Sequence, residues 1–316
     1  MTTILLGPQR FTVTVTSAVR SLGVEGPIAM INAGWEERED DDAELLGLLD
    51  GRGRNLRLYH RLIDVMTKDA AFSKAALAFR DRQEELRKFY GVRLQAAVDA
   101  AHAVLHRSSP HGLKTAAFVG AVQGIRDVDR WYTDQLKQLY RELDRDAPVW
   151  QSETVGWHRG EIEAVLADSV AVVIAGGHVG FLLQALRMFS VEPPEQLPIV
   201  AWSAGAMALT ERVVLFHDFT PQQVTAAECH DHGLARLPGV IALPHARRRL
   251  RLDDPERLAV LARRFPSRQL VLLDDGTVLR FPTGQTTAPP GARVITQTGT
   301  VETVGAGDEV AAGGRR

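Results

Sequence analysis

Cysteine is nearly missing from this chain: Cys229 is the one thiol in 316 residues. A lone thiol excludes an intramolecular disulfide and a Cys-rich zinc site. Its setting, Ala-Ala-Glu-Cys-His-Asp-His, reads as that of a structural or incidental thiol. Excess charge of either sign is missing too. The formal net charge is −2, which argues against a nucleic acid or an anionic membrane as partner. No stretch approaches the roughly 20 apolar residues of a membrane-spanning helix. The opening Met-Thr-Thr-Ile-Leu-Leu-Gly-Pro has neither the basic start nor the apolar run of a secretory signal. A cytoplasmic location is therefore expected. Metal-ligand spacing is equally scarce. His102 and His106 stand one helical turn apart without a third, acidic ligand, and with His60 and His111 they read as surface histidines. His230 and His232 lack a completing carboxylate and read as part of a solvated loop. Neither a metal nor an organic cofactor is expected, and no internal repeat is visible.

Apolar residues make up 45% of the chain and charged residues 24%, the balance of a globular protein with a sizeable core. Apolar runs at 4–8 and 27–32 read as strands closed by Gly or Pro. Residues 11–22 lead into or form a helix. Another is expected to begin in the acidic run 36–42, where carboxylates suit the positive end of the helix dipole, and to continue to 49. From about 55 to 147 Gly and Pro become scarce, and Ala, Leu, Arg, Glu and Gln dominate. Phe72, Ala76, Phe79, Leu86, Tyr90, Leu94, Val98 and Ala101 mark one face of a helix ending near 108. Trp131, Leu136, Leu139, Tyr140 and Leu143 mark a second helix, while 115–124 fits strand or helix. Strand–helix alternation resumes at 160, with apolar strands at 169–174, 198–201, 239–243 and 269–273 and helices at 161–167, 181–189 and 257–264. After 277 the chain reads as β-rich. The expected fold is α/β, a mostly parallel central sheet flanked by helices, with an all-helical insertion. Its core spans 1–54 and 148–304, the insertion 55–147, and a Gly-rich tail 305–316 is expected to be disordered.

The most informative segment is Ile-Val-Ala-Trp-Ser203-Ala-Gly-Ala. A buried strand runs into a Ser flanked by small residues, as in a strained strand-to-helix turn that lifts a nucleophile clear of a sheet. Ala201 replaces the first Gly of the usual Gly-x-Ser-x-Gly pattern. An attacking Ser needs a base, an acid to orient the base, and N–H donors for the developing oxyanion. The N–H of Ala204 and that of Gly176 or Gly177 are candidate donors. His245, closing the strand at 239–243, is the favoured base over His178, His217, His230 and His232. Asp274 or Asp275, at the end of the strand at 269–273, is the candidate acid.

Taken in order, these motifs become specific. Gly-Gly-His178, Trp-Ser203-Ala-Gly-Ala, His232-Gly-Leu, Pro-Gly-Val, His245-x-x-x-Arg249-x-Arg251 and Leu-Leu-Asp274-Asp275-Gly-Thr-Val-Leu together resemble the peptidase E and cyanophycinase family. These are serine peptidases on a class I glutamine-amidotransferase-like fold. The resemblance covers about residues 158–285. It implies Ser203 as nucleophile, His245 as base, Asp275 as the acid with Asp274 beside it, and Gly177 and Ala204 at oxyanion positions. From the residues themselves, Gly176 lets the backbone approach substrate closely, and His178 beside it is expected to contact substrate. Arg249 and Arg251 match a family pair near the His, and read equally as holders of a substrate carboxylate or as solvated arginines. Two departures stand out. The family's Gly-Gly-Asn is Gly-Gly-His178 here, and Pro244 precedes His245 where cyanophycinase-like sequences carry Gln, which speaks against cyanophycin as substrate. The expected activity is hydrolysis of a peptide or isopeptide bond in a small peptide. Two alternatives stand beside it: an inactive scaffold whose helical insertion binds a partner protein, and an acyl hydrolase of small esters or amides. The insertion could also mediate a homodimer.

Overall fold

The computed structural model describes residues 2–109, 112–219 and 226–305. The expectations placed on His111 and on most of the tail at 305–316 lie outside the described residues. Strands in chain order are β1 (Thr2–Leu6), β2 (Ile28–Ile31), β3 (Gly53–Asn55), β4 (Ala171–Ile174), β5 (Ile199–Trp202), β6 (Arg212–Leu215), β7 (Glu228–His232), β8 (Val240–Pro244), β9 (Gln269–Leu273), β10 (Val278–Pro282), β11 (Arg293–Ile295) and β12 (Val301–Thr303). Helices are α1 (Val15–Arg20), α2 (Ala43–Leu48), α3 (Leu58–Lys68), α4 (Ala70–Leu105), α5 (Leu113–Asp146), α6 (Glu153–Asp168), α7 (Val179–Met188), α8 (Ala204–Ala208), α9 (Ala246–Arg249) and α10 (Pro255–Arg264).

The main sheet has the order β10-β1-β5-β4-β2-β3, parallel except for β10 on its edge. Strands β2, β4 and β5 are four-residue apolar runs buried along their whole length. Such runs belong in a parallel sheet covered on both faces by helices. Register aligns Ile31 with Ile174 and Ile174 with Ala201, so the loops leaving these three strands emerge side by side.

A second sheet, β12-β11-β9-β8, carries β8 and β9 as a parallel pair with Pro244 opposite Leu273. His245 and Asp274 therefore reach the site from a neighbouring layer. The β6–β7 pair is antiparallel and overturns the reading of 230–232 as a solvated loop: His230 and Asp231 are buried. The Asp231 carboxylate is satisfied from α5 and α7, because Tyr140 donates to it at 2.7 Å and Arg187 pairs with it.

Helices α4 and α5 lie antiparallel, with Tyr90 and Tyr132 stacked at 4.2 Å between ring centroids. Phe118, Val122 and Ile125 face inward, which makes 115–124 helix rather than strand. The spacing of four and three outweighs the two glycines there. The acidic run does not start a helix. Residues 33–38 form a kinked 3-10 turn, and α2 begins later, at Ala43. His60 and His102 are only partly exposed, which corrects their reading as surface histidines. No helix among the described residues is long and apolar enough to cross a membrane.

Candidate active site

The turn after β5 places Ser203 at φ 49°, ψ −118°. Positive φ costs a non-glycine residue on the order of 1–3 kcal/mol and persists only where the surroundings enforce it. Here β5 above and the buried Ala204, Gly205 and Ala206 below enforce it. Gly205 must be glycine, because a Cβ there would collide with the Ile174 carbonyl oxygen. The Ala204 N–H opens α8 and has no acceptor within its own helix.

Ser203 Oγ lies 3.3 Å from His245 Nε2. With the hydroxyl donating, Nε2 is the bare nitrogen and Nδ1 carries the proton. His245 is itself left-handed, at φ 57° and ψ 32°. Its N–H donates to Leu273 O at 3.0 Å, which ties the tip of β8 to the tip of β9. Burial pushes the imidazole below its ordinary value of 6.5, and Arg249 and Arg248 push it the same way, while Asp275 and Asp274 pull upward. The ring is thus neutral at neutral pH and able to accept a proton. The acid limb of kcat/KM should therefore have its midpoint below 6.5. Removing a cation favours the protonated ring, so Arg249→Met should move that midpoint upward in a pH–rate profile.

The two acids stand in the same pocket as His245, Arg247 and Arg248, with Pro8 closing it. Neither is hydrogen-bonded to the imidazole. Asp274 accepts from the Arg247 N–H at 2.8 Å and from Arg293 Nη1 at 3.0 Å. Asp275 accepts from Arg248 Nη2 at 2.8 Å, and that guanidinium also lies 4.5 Å above the exposed Phe11 ring. The structure thus joins two of the three expected triad groups and holds the third close by on another partner.

The glycine pair lies against the nucleophile. A Cβ on Gly176 would stand 2.9 Å from Ser203 Cβ and 3.5 Å from its Oγ, so the chain can pass there only as glycine. Gly177 has φ 118°, and a Cβ on it would strike the Gly34 carbonyl. The next N–H, of His178, donates to Gly34 O at 2.7 Å, which clamps the loop after β4 to the loop after β2. His178 is exposed and caps α7, its Nδ1 accepting from Phe181 N at 3.2 Å. Arg249 is half-buried and in no ion pair among the described residues, and burial lowers its pKa. Arg251 is exposed. Of the rival histidines, His217 is exposed, His230 and His232 belong to β7, and none is hydrogen-bonded to Ser203.

Asp218 was missed from the sequence, where it sits in a polar stretch with no apolar pattern to flag it. It is 3% exposed. Its N–H donates to Arg249 O at 2.7 Å, and its carboxylate accepts from Arg251 N at 2.9 Å and from Arg257 Nη2 at 2.5 Å. These contacts hold the segment directly after His245. Asp218→Asn removes the charge that anchors Arg257 and should let this segment drift. A drift approaching 1 Å at the base is worth about a hundredfold. The expected outcome in steady-state kinetics is a fall in kcat with KM little changed.

Among the described residues, no group of three or more His, Cys, Asp or Glu is arranged to hold a metal ion. A family model for Peptidase family S51 matches residues 96–288, more than half of the chain. The matched stretch starts inside α4 and includes Gly176, Gly177, Ser203, Asp218, His245, Asp274 and Asp275. No curated protein matches. Among solved structures, the crystal structure of a peptidase from an acI-B1 Actinobacterium is similar at 20% identity, over 56% of this chain and 75% of that chain, with a TM-score of 0.32.

Proposed function

The chain belongs to peptidase family S51 and is a serine peptidase of the peptidase E kind; from that premise we propose that it cleaves a peptide or isopeptide bond through an acyl-enzyme on Ser203. Ser203 Oγ attacks the scissile carbonyl carbon as its proton passes to His245 Nε2. The carbonyl oxygen becomes an oxyanion facing the N–H groups of Gly177 and Ala204. The C–N bond breaks as the imidazolium returns that proton to the leaving amine. Water then attacks the ester, His245 again takes and returns a proton, and the second product leaves as a carboxylic acid. Asp275 is assigned to orient the His245 Nδ1–H. To do so it turns from Arg248 toward the ring, whereas Asp274 keeps both oxygens on Arg247 and Arg293.

The observation that carries this reading is the 3.3 Å approach of Ser203 Oγ to a neutral His245 Nε2 from a strained turn. A rapid-quench experiment tests it: with a peptide thioester or p-nitroanilide, intact-mass spectrometry should show a transient adduct equal to the acyl portion. Turnover with no such adduct, even at low pH where deacylation slows, would point to direct attack by water. The scaffold reading draws on one observation, the missing hydrogen bond between His245 and a carboxylate. An intact fold with no turnover of any peptide or ester would favour it.

A further inference from the structure

The first turn of α7 follows directly from the glycine pair at the nucleophile, and it gathers polar groups that the catalytic assignment leaves unused. His230, from β7, is 8% exposed. Its Nδ1 accepts from Arg87 Nη2 at 3.1 Å. Arg has no acceptor, so the ring is held with the proton on Nε2. Burial and then Arg87 lower its pKa to about 4, so it is a neutral N–H donor. Among the described residues, that Nε2 has no hydrogen-bond partner. It points at the helix start, 3.5 Å from where a Cβ of Gly180 would stand, with His178 Cε1 at 2.9 Å from the same point. His178 is fixed in the same way. Its Nδ1 accepts from Phe181 N, which leaves Nε2–H as a donor on an exposed ring.

Arg87 comes from α4, in the helical region. Its guanidinium meets the His230 ring and acts on the Tyr132 hydroxyl, neither of them a carboxylate. Glu228 shares its field, yet the two form no ion pair. The place therefore offers two imidazole N–H donors, the N–H groups of Val179 and Gly180 opening a ten-residue helix, and one cation that feels Glu228 and Glu84 but makes no ion pair among the described residues. Converging N–H donors beside a guanidinium suit a carboxylate.

We propose that Arg87, His230 and His178, around the first turn of α7, form a subsite for a carboxylate of the peptide substrate, with the helical region supplying its cation. The proposal rests on the peptide-hydrolysis reading given above. Gly176 touches Ser203, and Val179 is three residues further on, at most about 11 Å of extended chain. A carboxylate bound there sits two or three residues from the scissile bond. Two sources fit that chemistry, the C-terminus of a short peptide or an acidic side chain.

The test measures binding in the Ser203→Ala background by calorimetry, with tetra-alanine, its C-terminal amide, and the amide carrying one Glu in place of Ala. The subsite predicts that one carboxylate-bearing peptide binds more tightly than the plain amide, and which one does so identifies the source. Adding Arg87→Met should reduce that preference by about tenfold to a hundredfold. Arg87→Lys, which keeps the charge and guards against a folding failure of the Met variant, should reduce it less. Lys88→Met, one residue on and paired with Glu84, should leave it unchanged. Equal affinity for all three peptides, or a preference that survives Arg87→Met, overturns the subsite. Because binding is read without turnover, that failure stays separate from a failure of the hydrolytic reading, which shows as a wild-type protein that binds peptides and cleaves none.

Discussion

Ser203→Ala should lower kcat/KM by about 10,000-fold or more, and the double variant with His245→Ala should be no worse than Ser203→Ala alone. The two groups act as one unit: the hydroxyl is a weak nucleophile until the imbedded proton can pass to Nε2, 3.3 Å away. Removing either removes the whole step, so their effects do not add. The residual rate comes from the oxyanion donors and substrate binding, which both variants keep. Folding should be little affected by Ser203→Ala. Ser203 makes no side-chain cap to α8, and its turn is set by the backbone of β5 and by Gly205. The check is steady-state kinetics of the two single variants and the double. Losses that multiply would mean that the two side chains serve independent functions, and would remove the nucleophile–base assignment.

The second large effect concerns stability. Arg264 is 4% exposed and Asp129 3% exposed. Two nitrogens of Arg264 meet Asp129 at 2.5 Å each, and Nη2 also donates to the Tyr90 hydroxyl at 2.8 Å. Tyr90 in turn donates to Asp129 at 2.7 Å and accepts from the Cys229 N–H at 3.0 Å. This network crosses from α10 to α5, α4 and β7, and so it fastens the long helices to the rest of the protein. Asp129→Asn leaves the Arg264 charge buried without its counter-ion. Breaking a buried pair on one side costs about 3–5 kcal/mol. Urea unfolding should show a loss of that size, with the midpoint moved and the slope kept. Replacing both residues, as Asp129→Leu with Arg264→Met, should recover much of it, since no buried charge is then left alone. A single-variant loss under about 1 kcal/mol would show that the network is solvated in the folded protein.

The sequence shows the Ser203 turn clearly because local rules decide it: an apolar strand, a crowded corner, and small residues where no Cβ beyond Ala fits. His245 and the Asp274–Asp275 pair are legible for a similar reason, each ending an apolar strand. What is not local is hidden. Whether β8 and β9 join the main sheet depends on edge pairing, which an apolar run does not encode. β7 reads as a polar loop because Glu228, His230, Asp231 and His232 are polar, and its burial depends on Tyr140, Arg187 and Arg87 arriving from distant segments to satisfy those groups. Asp218 is invisible for the same reason: its partners Arg249, Arg251 and Arg257 lie more than thirty residues away. The choice between Asp274 and Asp275 is equally non-local, since Arg293 and Arg248 decide which oxygens are occupied.

The most direct measurement on the catalytic pair is covalent labelling with a fluorophosphonate, mapped by peptide mass spectrometry. One phosphonyl group should appear, on Ser203, with a labelling rate that falls as pH drops through a midpoint below 6.5 and is nearly abolished in His245→Gln. Absence of label on a folded wild-type protein, or label on another residue at a rate indifferent to His245, would contradict the assignment of Ser203 and His245 as nucleophile and base.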